Sequence, residues 1–408
     1  MGMAYGFPVK HHCTINLDRM GGWVGGRSPH GTVSARLGVA ERRLEMAFAV
    51  HLPWRSPNPS SHDWQHVTNW RPTCMIQHLA VVGATGAVGR EVCTLLGRYS
   101  HRVKRVSLLA SKRGAGTRIP VGETVVEVRE LTGQSFKGVD FVICCAGGEV
   151  SRQFAPIAVG EGAVVIDNSS VFRMEADVPL VIPEINPGDA RRHRGIVANP
   201  NCSTIIMNVA VWPLHQANPL TRIVVDTYQA TSGAGASAME ELRVQTADVL
   251  EGRPARPRVF RHPIAFNLFS HDTPIGPDGY NTEERKMIDE TRKIFHQPSL
   301  AVTATCVRVP VLRAHSEAIH LTFERPMSPD SVREILRKAP GVELVDDVPG
   351  GRFPMPVDAT GRDPVLVGRI RQDASQPDSR GIALFACGDQ LRKGAALNAL
   401  QILECLLD

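Results

Sequence analysis

Leu79-Ala80-Val81-Val82-Gly83-Ala84-Thr85-Gly86-Ala87-Val88-Gly89 decides the fold. Four apolar residues read as a short buried strand, and the run from Ala87 to Arg98 reads as a helix. Between them lies G-x-x-G-x-x-G. Glycines at these places permit a tight turn and bring backbone close to a pyrophosphate, which then sits on a helix N-terminus. A glycine triplet alone is weak evidence; flanked by a strand and a helix it points to a dinucleotide loop.

The pattern continues as α/β on the C-terminal side. A second strand is expected over Val103–Leu109, ending in Ala110-Ser111-Lys112-Arg113-Gly114. Dinucleotide folds that take NAD usually place a carboxylate here for the ribose 2′-hydroxyl. This chain has no acid between Glu91 and Glu123. Ser111 and Arg113 suit a 2′-phosphate instead, which favours NADP. A strand over Val139–Cys145 runs into Ala146-Gly147-Gly148, a helix follows over Ser151–Val159, and Ala163–Ile166 is another strand.

Ala198-Asn199-Pro200-Asn201-Cys202-Ser203-Thr204 then leads from an apolar run into a helix expected over Ile205–Leu214. A cysteine at a helix start is biased toward thiolate by the helix dipole and free N–H groups, and a thiolate attacks acyl carbons. Position alone favours an ordinary buried thiol, since the chain has nine cysteines and most intracellular cysteines are small apolar residues. Their odd number and the absence of C-x-x-C spacing fit reduced thiols, with neither a disulfide framework nor a metal site.

Beyond this helix the pattern changes. Arg222–Ala230 alternates as a half-exposed strand; Thr231-Ser232-Gly233-Ala234-Gly235 is a turn before a helix to Leu250. Glu251–Pro277 reads as irregular, Thr282–Phe295 as a charged amphipathic helix, and Ala301–Val311 and Glu317–Glu324 as long alternating strands. A helix over Val332–Lys338, a strand over Gly381–Cys387 and a terminal helix over Leu391–Leu407 complete the chain, the last packing back on the first domain. Domains are therefore expected at 75–201 (completed by 388–408) and 202–387. Residues 1–74 hold four of the five tryptophans and no sustained period; they read as a disordered extension or an over-called start before Met75.

Net charge is only +5 over 408 residues and is not clustered, which argues against a nucleic-acid footprint. No apolar run approaches the roughly 20 residues that span a bilayer. Neither nucleic acid nor membrane is expected as a partner, and the expected location is the cytoplasm.

With these pieces in order, residues 76–408 closely resemble the aspartate-β-semialdehyde dehydrogenase family. The motifs that carry the resemblance are Gly83 to Gly89, Asp167-Asn168-Ser169-Ser170 with Arg173, and Asn199 to Thr204. Gln229 before Thr231 to Gly235, Glu283-Glu284-Arg285-Lys286, Arg308-Val309-Pro310, His315-Ser316-Glu317 and Leu391-Arg392-Lys393-Gly394-Ala395 extend it. The resemblance implies a Rossmann NADP-binding domain plus an α/β mixed-sheet domain for catalysis and dimerisation, in a homodimer or homotetramer. It implies NADPH-dependent reductive dephosphorylation of L-aspartyl 4-phosphate to L-aspartate 4-semialdehyde and phosphate, a step feeding lysine (through diaminopimelate), threonine, methionine and isoleucine synthesis.

It also implies the roles. Cys202 attacks the acyl phosphate and forms a thioester, His315 is the acid/base, and Gln229 orients nucleophile and substrate. Arg308 takes the α-carboxylate and Glu283 the ammonium group. Arg173, Asn201 and Lys286 hold the phosphate, and N–H groups near Cys202, with Asn201, form the oxyanion hole. Gly83, Thr85, Gly86, Ala87, Val88, Gly89, Ser111, Arg113, Gly147, Gly148, Ser232, Gly233 and Gln390 line the cofactor site. Gln390 departs from the family, which has asparagine there, close to the nicotinamide amide. The nearest rival, N-acetyl-γ-glutamyl-phosphate reductase, usually has Gly and Tyr flanking its cysteine; Asn201 and Ser203 stand here. A non-catalytic NADP-binding relative would have lost Cys202 or His315, and both are present.

Overall fold

The computed structural model describes residues 75–99, 101–376 and 378–407; the expectation for residues 1–74 lies outside them. Alternating short apolar strands and helices build a first sheet. In chain order its elements are β1 (Leu79–Val82), α1 (Ala87–Leu96), β2 (Val106–Ala110), β3 (Arg118–Val121), β4 (Thr124–Glu130), β5 (Phe141–Cys144), α2 (Gly148–Gly160), β6 (Val164–Asp167) and β7 (Ile196–Ala198). The strand order is β3-β4-β2-β1-β5-β6-β7. All neighbours run parallel except β3 and β4. The chain leaves β1 for β2 on one side and returns to β5 on the other. The β1–β5 crevice is thus the topological switch point, where such sheets take their ligands. The β3–β4 hairpin, turning at Gly122 (φ +58°), was not expected from the sequence. β4 is mostly exposed and so carries no apolar period, while Pro120 is tolerated because β3 is an edge strand.

The second sheet holds β8 (Leu220–Gln229), β9 (Phe269–Ser270), β10 (Ala301–Arg308), β11 (His315–Phe323), β12 (Val342–Leu344), β13 (Val365–Gln372) and β14 (Gly381–Gly388). The helices of this part are α3 (Cys202–Ala217), α4 (Ala236–Leu250), α5 (Thr282–Ile294), α6 (Pro329–Arg337) and the short α7 (Pro356–Ala359). The order is β12-β13-β14-β11-β8-β10-β9, with β8 parallel to β10 and antiparallel to β11. One face is covered: Val225, Ile319, Leu321 and Leu384 pack with Ile206, Met207 and Ala210 of α3, Met287 of α5 and Leu336 of α6. The apolar residues of α3 lie in this second core. β10 stops at Arg308, before the expected Val311, because Pro310 has no N–H to extend the ladder.

The expected terminal helix is divided. Arg392–Ala396 form a wide π turn, and the regular helix α8 runs over Leu397–Leu407. Leu397, Leu400, Leu403 and Leu406 pack with Val81, Ile143 and Val197 of the first sheet. Burying one such leucine contributes about 1.5–3 kcal/mol. Cys93, Cys144, Cys145, Cys202, Cys306 and Cys387 are free thiols. Among the described residues no helix is long and apolar enough to cross a membrane.

Candidate active site

At the switch point the glycines sit where side chains cannot. Gly83 has φ +79°, and a Cβ there would lie 2.8 Å from the carbonyl of Cys145 at the end of β5. A Cβ on Gly89 would lie 2.2 Å from the Gly83 oxygen, so α1 can approach β1 only with glycine there. Gly86 caps α1 and Gly147 caps α2, neither with a side-chain hydrogen bond. Both helix N-termini are therefore open to an anion. Ser111, Lys112 and Arg113 are exposed just past β2. These residues fit a dinucleotide carrying an additional phosphate.

Cys202 is the first residue of α3. The Asn201 side chain caps the helix by accepting from Ser203 N at 3.0 Å and Thr204 N at 3.3 Å. Cys202 Sγ lies 3.5 Å from His315 Nε2, and His315 Nδ1 accepts from the Ala230 N–H at 3.0 Å. That bond leaves Nδ1 without a proton and puts the hydrogen of the neutral ring on Nε2, facing the sulfur. Burial, then Arg308, lowers the His315 pKa to about 3. Burial, then Glu283, pushes the Cys202 thiol up to about 12, opposed by Arg173, Lys286 and Arg308. The resting site therefore holds a thiol and a neutral imidazole, burial outweighing the bias of the helix start toward thiolate.

The charged residues expected from separate motifs converge here. Glu283, on the first turn of α5, accepts from Asn201 Nδ2 at 2.8 Å, Gln229 Nε2 at 3.1 Å and Lys286 Nζ at 2.9 Å. Burial raises its pKa, but Lys286 and then His271, with the hydrogen bonds of Lys286 and Asn201, hold it well below the carboxylate range. Gln229 Nε2 also donates to Ser203 Oγ at 2.8 Å. Arg308, buried at the end of β10, donates through Nη1 to Ala230 O at 3.0 Å and through Nη2 to His271 Nε2 at 2.7 Å. Gln229 Oε1 and Arg308 Nε are buried and lack a partner among the described residues. One unmet acceptor and one unmet donor suit a ligand that brings both an ammonium group and a carboxylate.

Arg173 is buried rather than an exposed charge. It donates to Asn199 O at 2.9 Å, Asn168 O at 2.8 Å and Glu290 Oε1 at 3.0 Å. Gln390, expected near the nicotinamide, donates to Ser232 Oγ and accepts from Ala314 N at 2.9 Å. The Gly233 backbone lies against His315 and Arg308: a Cβ there would be 3.1 Å from His315 Cε1 and 3.2 Å from Arg308 Nη1.

Several contributors had not been singled out in the sequence. His271 orients Arg308; burial above all, aided by Arg308, lowers its pKa to about 4, which keeps Nε2 an acceptor. Gly394, within the π turn, packs directly on the cysteine: its Cβ would lie 3.0 Å from Cys202 Cβ. Glu290 joins Arg173 to the Asn201 backbone. Gly394 stands within a quoted motif, but nothing local marks His271 or Glu290, whose partners are distant in sequence.

Comparison with known proteins finds relatives along most of the chain. A family model described as semialdehyde dehydrogenase, NAD binding domain, matches residues 78–193, and one described as semialdehyde dehydrogenase, dimerisation domain, matches residues 211–393. The aspartate-semialdehyde dehydrogenase of Synechocystis is 52% identical over 330 residues, covering 81% of this chain and 97% of that protein. The Bacillus subtilis enzyme of that name is 44% identical over 337 residues, covering 81% of this chain and 97% of that protein. The crystal structure of aspartate semialdehyde dehydrogenase II from Vibrio cholerae complexed with ASA superposes with a TM-score of 0.79 at 43% identity, covering 82% of this chain and 98% of that one. With both domain models in sequence order and close relatives matched over nearly their full length, the chain belongs to the aspartate-semialdehyde dehydrogenase family.

Proposed function

We propose that this chain converts L-aspartyl 4-phosphate to L-aspartate 4-semialdehyde and phosphate, with NADPH as the reductant. The observation that carries the reading is the Cys202 Sγ–His315 Nε2 contact of 3.5 Å, in a pocket that also holds Glu283, Lys286, Arg308 and Arg173. A substrate with an ammonium group, a carboxylate and a phosphate needs both signs of charge around one nucleophile.

NADPH, when bound, supplies the hydride. Gly83, Thr85, Gly86, Ala87, Val88 and Gly89, with Gly147 and Gly148, hold its pyrophosphate side. Ser111 and Arg113 take the 2′-phosphate, and Ser232, Gly233 and Gln390 border the nicotinamide. Arg308 orients the substrate carboxylate and Glu283 its ammonium group. Arg173, Asn201 and Lys286 receive the phosphate and, with Arg308, offset the charge on the sulfur as Cys202 becomes a thiolate. Cys202 Sγ attacks the acyl carbon, its proton passes to the departing phosphate, and a thioester remains on the sulfur. Gln229 keeps Ser203 and Glu283 in register beside the nucleophile. His315 donates its Nε2–H first to the sulfur and then to the substrate oxygen. Full acid–base turnover requires Nδ1 to release the Ala230 N–H. Within this helix turn the N–H groups of Asn201, Ser203 and Thr204 are engaged, so the oxyanion falls to the Cys202 N–H.

Residues 75–201 with 388–408 then form the cofactor domain and 202–387 the substrate and dimerisation domain, in a cytoplasmic homodimer or homotetramer. Packing of α3 on the second sheet and α8 on the first supports this division. The test runs the reaction in reverse, with semialdehyde, phosphate and either NADP or NAD. NADPH formation that requires phosphate, and is faster with NADP than with NAD, is expected; no phosphate-dependent reduction of either cofactor refutes the reading.

A further inference from the structure

We propose that Glu290 is a positioning residue for the phosphate step, holding the Arg173 guanidinium and the Asn201 backbone in the geometry that receives the phosphoryl group. This rests on the reading above, in which Arg173 and Asn201 are phosphate ligands. Glu290 lies on α5, two turns beyond Glu283, and is 1% exposed. Its oxygens are divided between two targets. Oε1 accepts from Arg173 Nη1 at 3.0 Å. Oε2 accepts from the Asn201 N–H at 2.7 Å, immediately before the cysteine.

A buried carboxylate is tolerated only when paired and hydrogen-bonded, and this one is both. Arg173 meanwhile has one protein acceptor on each guanidinium nitrogen. Each Nη therefore keeps one N–H for an anion. The fork cannot swing without breaking contacts to Glu290, Asn168 and Asn199. One turn further along α5, Lys293 Nζ donates to the carbonyls of Arg173, Glu175 and Val178 at 2.7, 2.7 and 2.9 Å. The same helix thus fixes the Arg173 loop through Glu290 and Lys293 and the cysteine loop through Glu283 and Glu290. Removing Glu290 frees Arg173 electrostatically but lets its geometry go; the proposal is that geometry dominates.

Glu290→Gln keeps the volume but turns an NH2 toward either Arg173 or Asn201, so one contact is lost whichever way the amide faces. In the phosphate-dependent direction, KM for phosphate is expected to rise about 10-fold or more, the size of one lost charge-assisted hydrogen bond. KM for the semialdehyde should stay within about twofold. Glu290→Asp keeps the charge but is a methylene too short to span both partners. It is expected to show the same split, and it carries the test if the Gln variant does not fold. An unchanged or lowered phosphate KM in a folded variant overturns the proposal, as does a loss of melting temperature and active fraction with both KM values intact. Absence of phosphate-dependent turnover in the unaltered protein overturns the reading beneath it as well, and is distinguishable from a loss confined to the variants.

Discussion

At the residue scale the site is built by close approach as much as by charge. Gly233 shows this. His315 is fully buried and bonded to Ala230, and Arg308 is bonded to Ala230 and His271. Neither can yield to a methyl group at 3.1–3.2 Å. Gly233→Ala is therefore expected to lower kcat/KM about 10- to 100-fold, since overpacking costs about 1–3 kcal/mol and each 1.36 kcal/mol is tenfold in rate. Its melting temperature should fall by a few degrees; unchanged kinetics would show that the His315–Arg308 geometry is not constrained by close approach of Gly233. Cys202, Glu283 and Arg308 were legible because each sits in a local motif. Glu290 was not, because a carboxylate on a charged helix reads as solvated until the fold brings Arg173, 117 residues away, against it.

At the element scale, legibility followed burial. β1, β5 and β6 are buried at every position, and each was found to within two residues of either end. β4 and β12 are exposed or half-buried, so no apolar period marks them, and β3 alternates over only four residues. β13 is buried from Val365 to Gly368 but was not expected as a strand, because Gly368 and Arg369 interrupt its period. α5 fits its reading as a charged amphipathic helix. Its charges suggest a surface helix, yet Glu283, Glu284 and Glu290 are buried because its polar face lines the site. The π turn at Arg392–Ala396 has no compositional signature. Its position is explained by Gly394, which lets the chain pass against Cys202.

For the whole molecule, the α/β class and the parallel first sheet follow from short apolar strands alternating with helices, whereas the order of the second sheet rests on non-local antiparallel pairing. Buried titratable groups tie its stability to pH. Burial lowers the pKa of His315 to about 3 and of His271 to about 4, and moves His78, His193 and His215 the same way. Below pH 6.5 the unfolded chain binds protons these rings refuse, so stability falls as pH falls, by up to about 1.4 kcal/mol per unit for each deeply buried ring. Glu317 acts oppositely. It is fully buried with neither oxygen partnered among the described residues, and burial raises its pKa well above 4.5. The folded chain retains that proton while the unfolded chain loses it, so its contribution declines as pH rises above 4.5. Urea midpoints at pH 5, 6.5 and 8 are expected to peak near 6.5, with Glu317→Gln flattening the alkaline side. A steady rise to pH 8, identical in both proteins, contradicts this assignment.

Covalent catalysis by Cys202 is most directly tested by mixing the protein with semialdehyde and NADP in the absence of phosphate. A thioester mechanism places hydride transfer before phosphate enters in this direction. The expected result is a single-turnover burst of NADPH with the acyl group recovered on Cys202 by mass spectrometry, and steady turnover only once phosphate is added. No burst without phosphate, or an undiminished burst in Cys202→Ala, contradicts the assignment of Cys202 as the nucleophile.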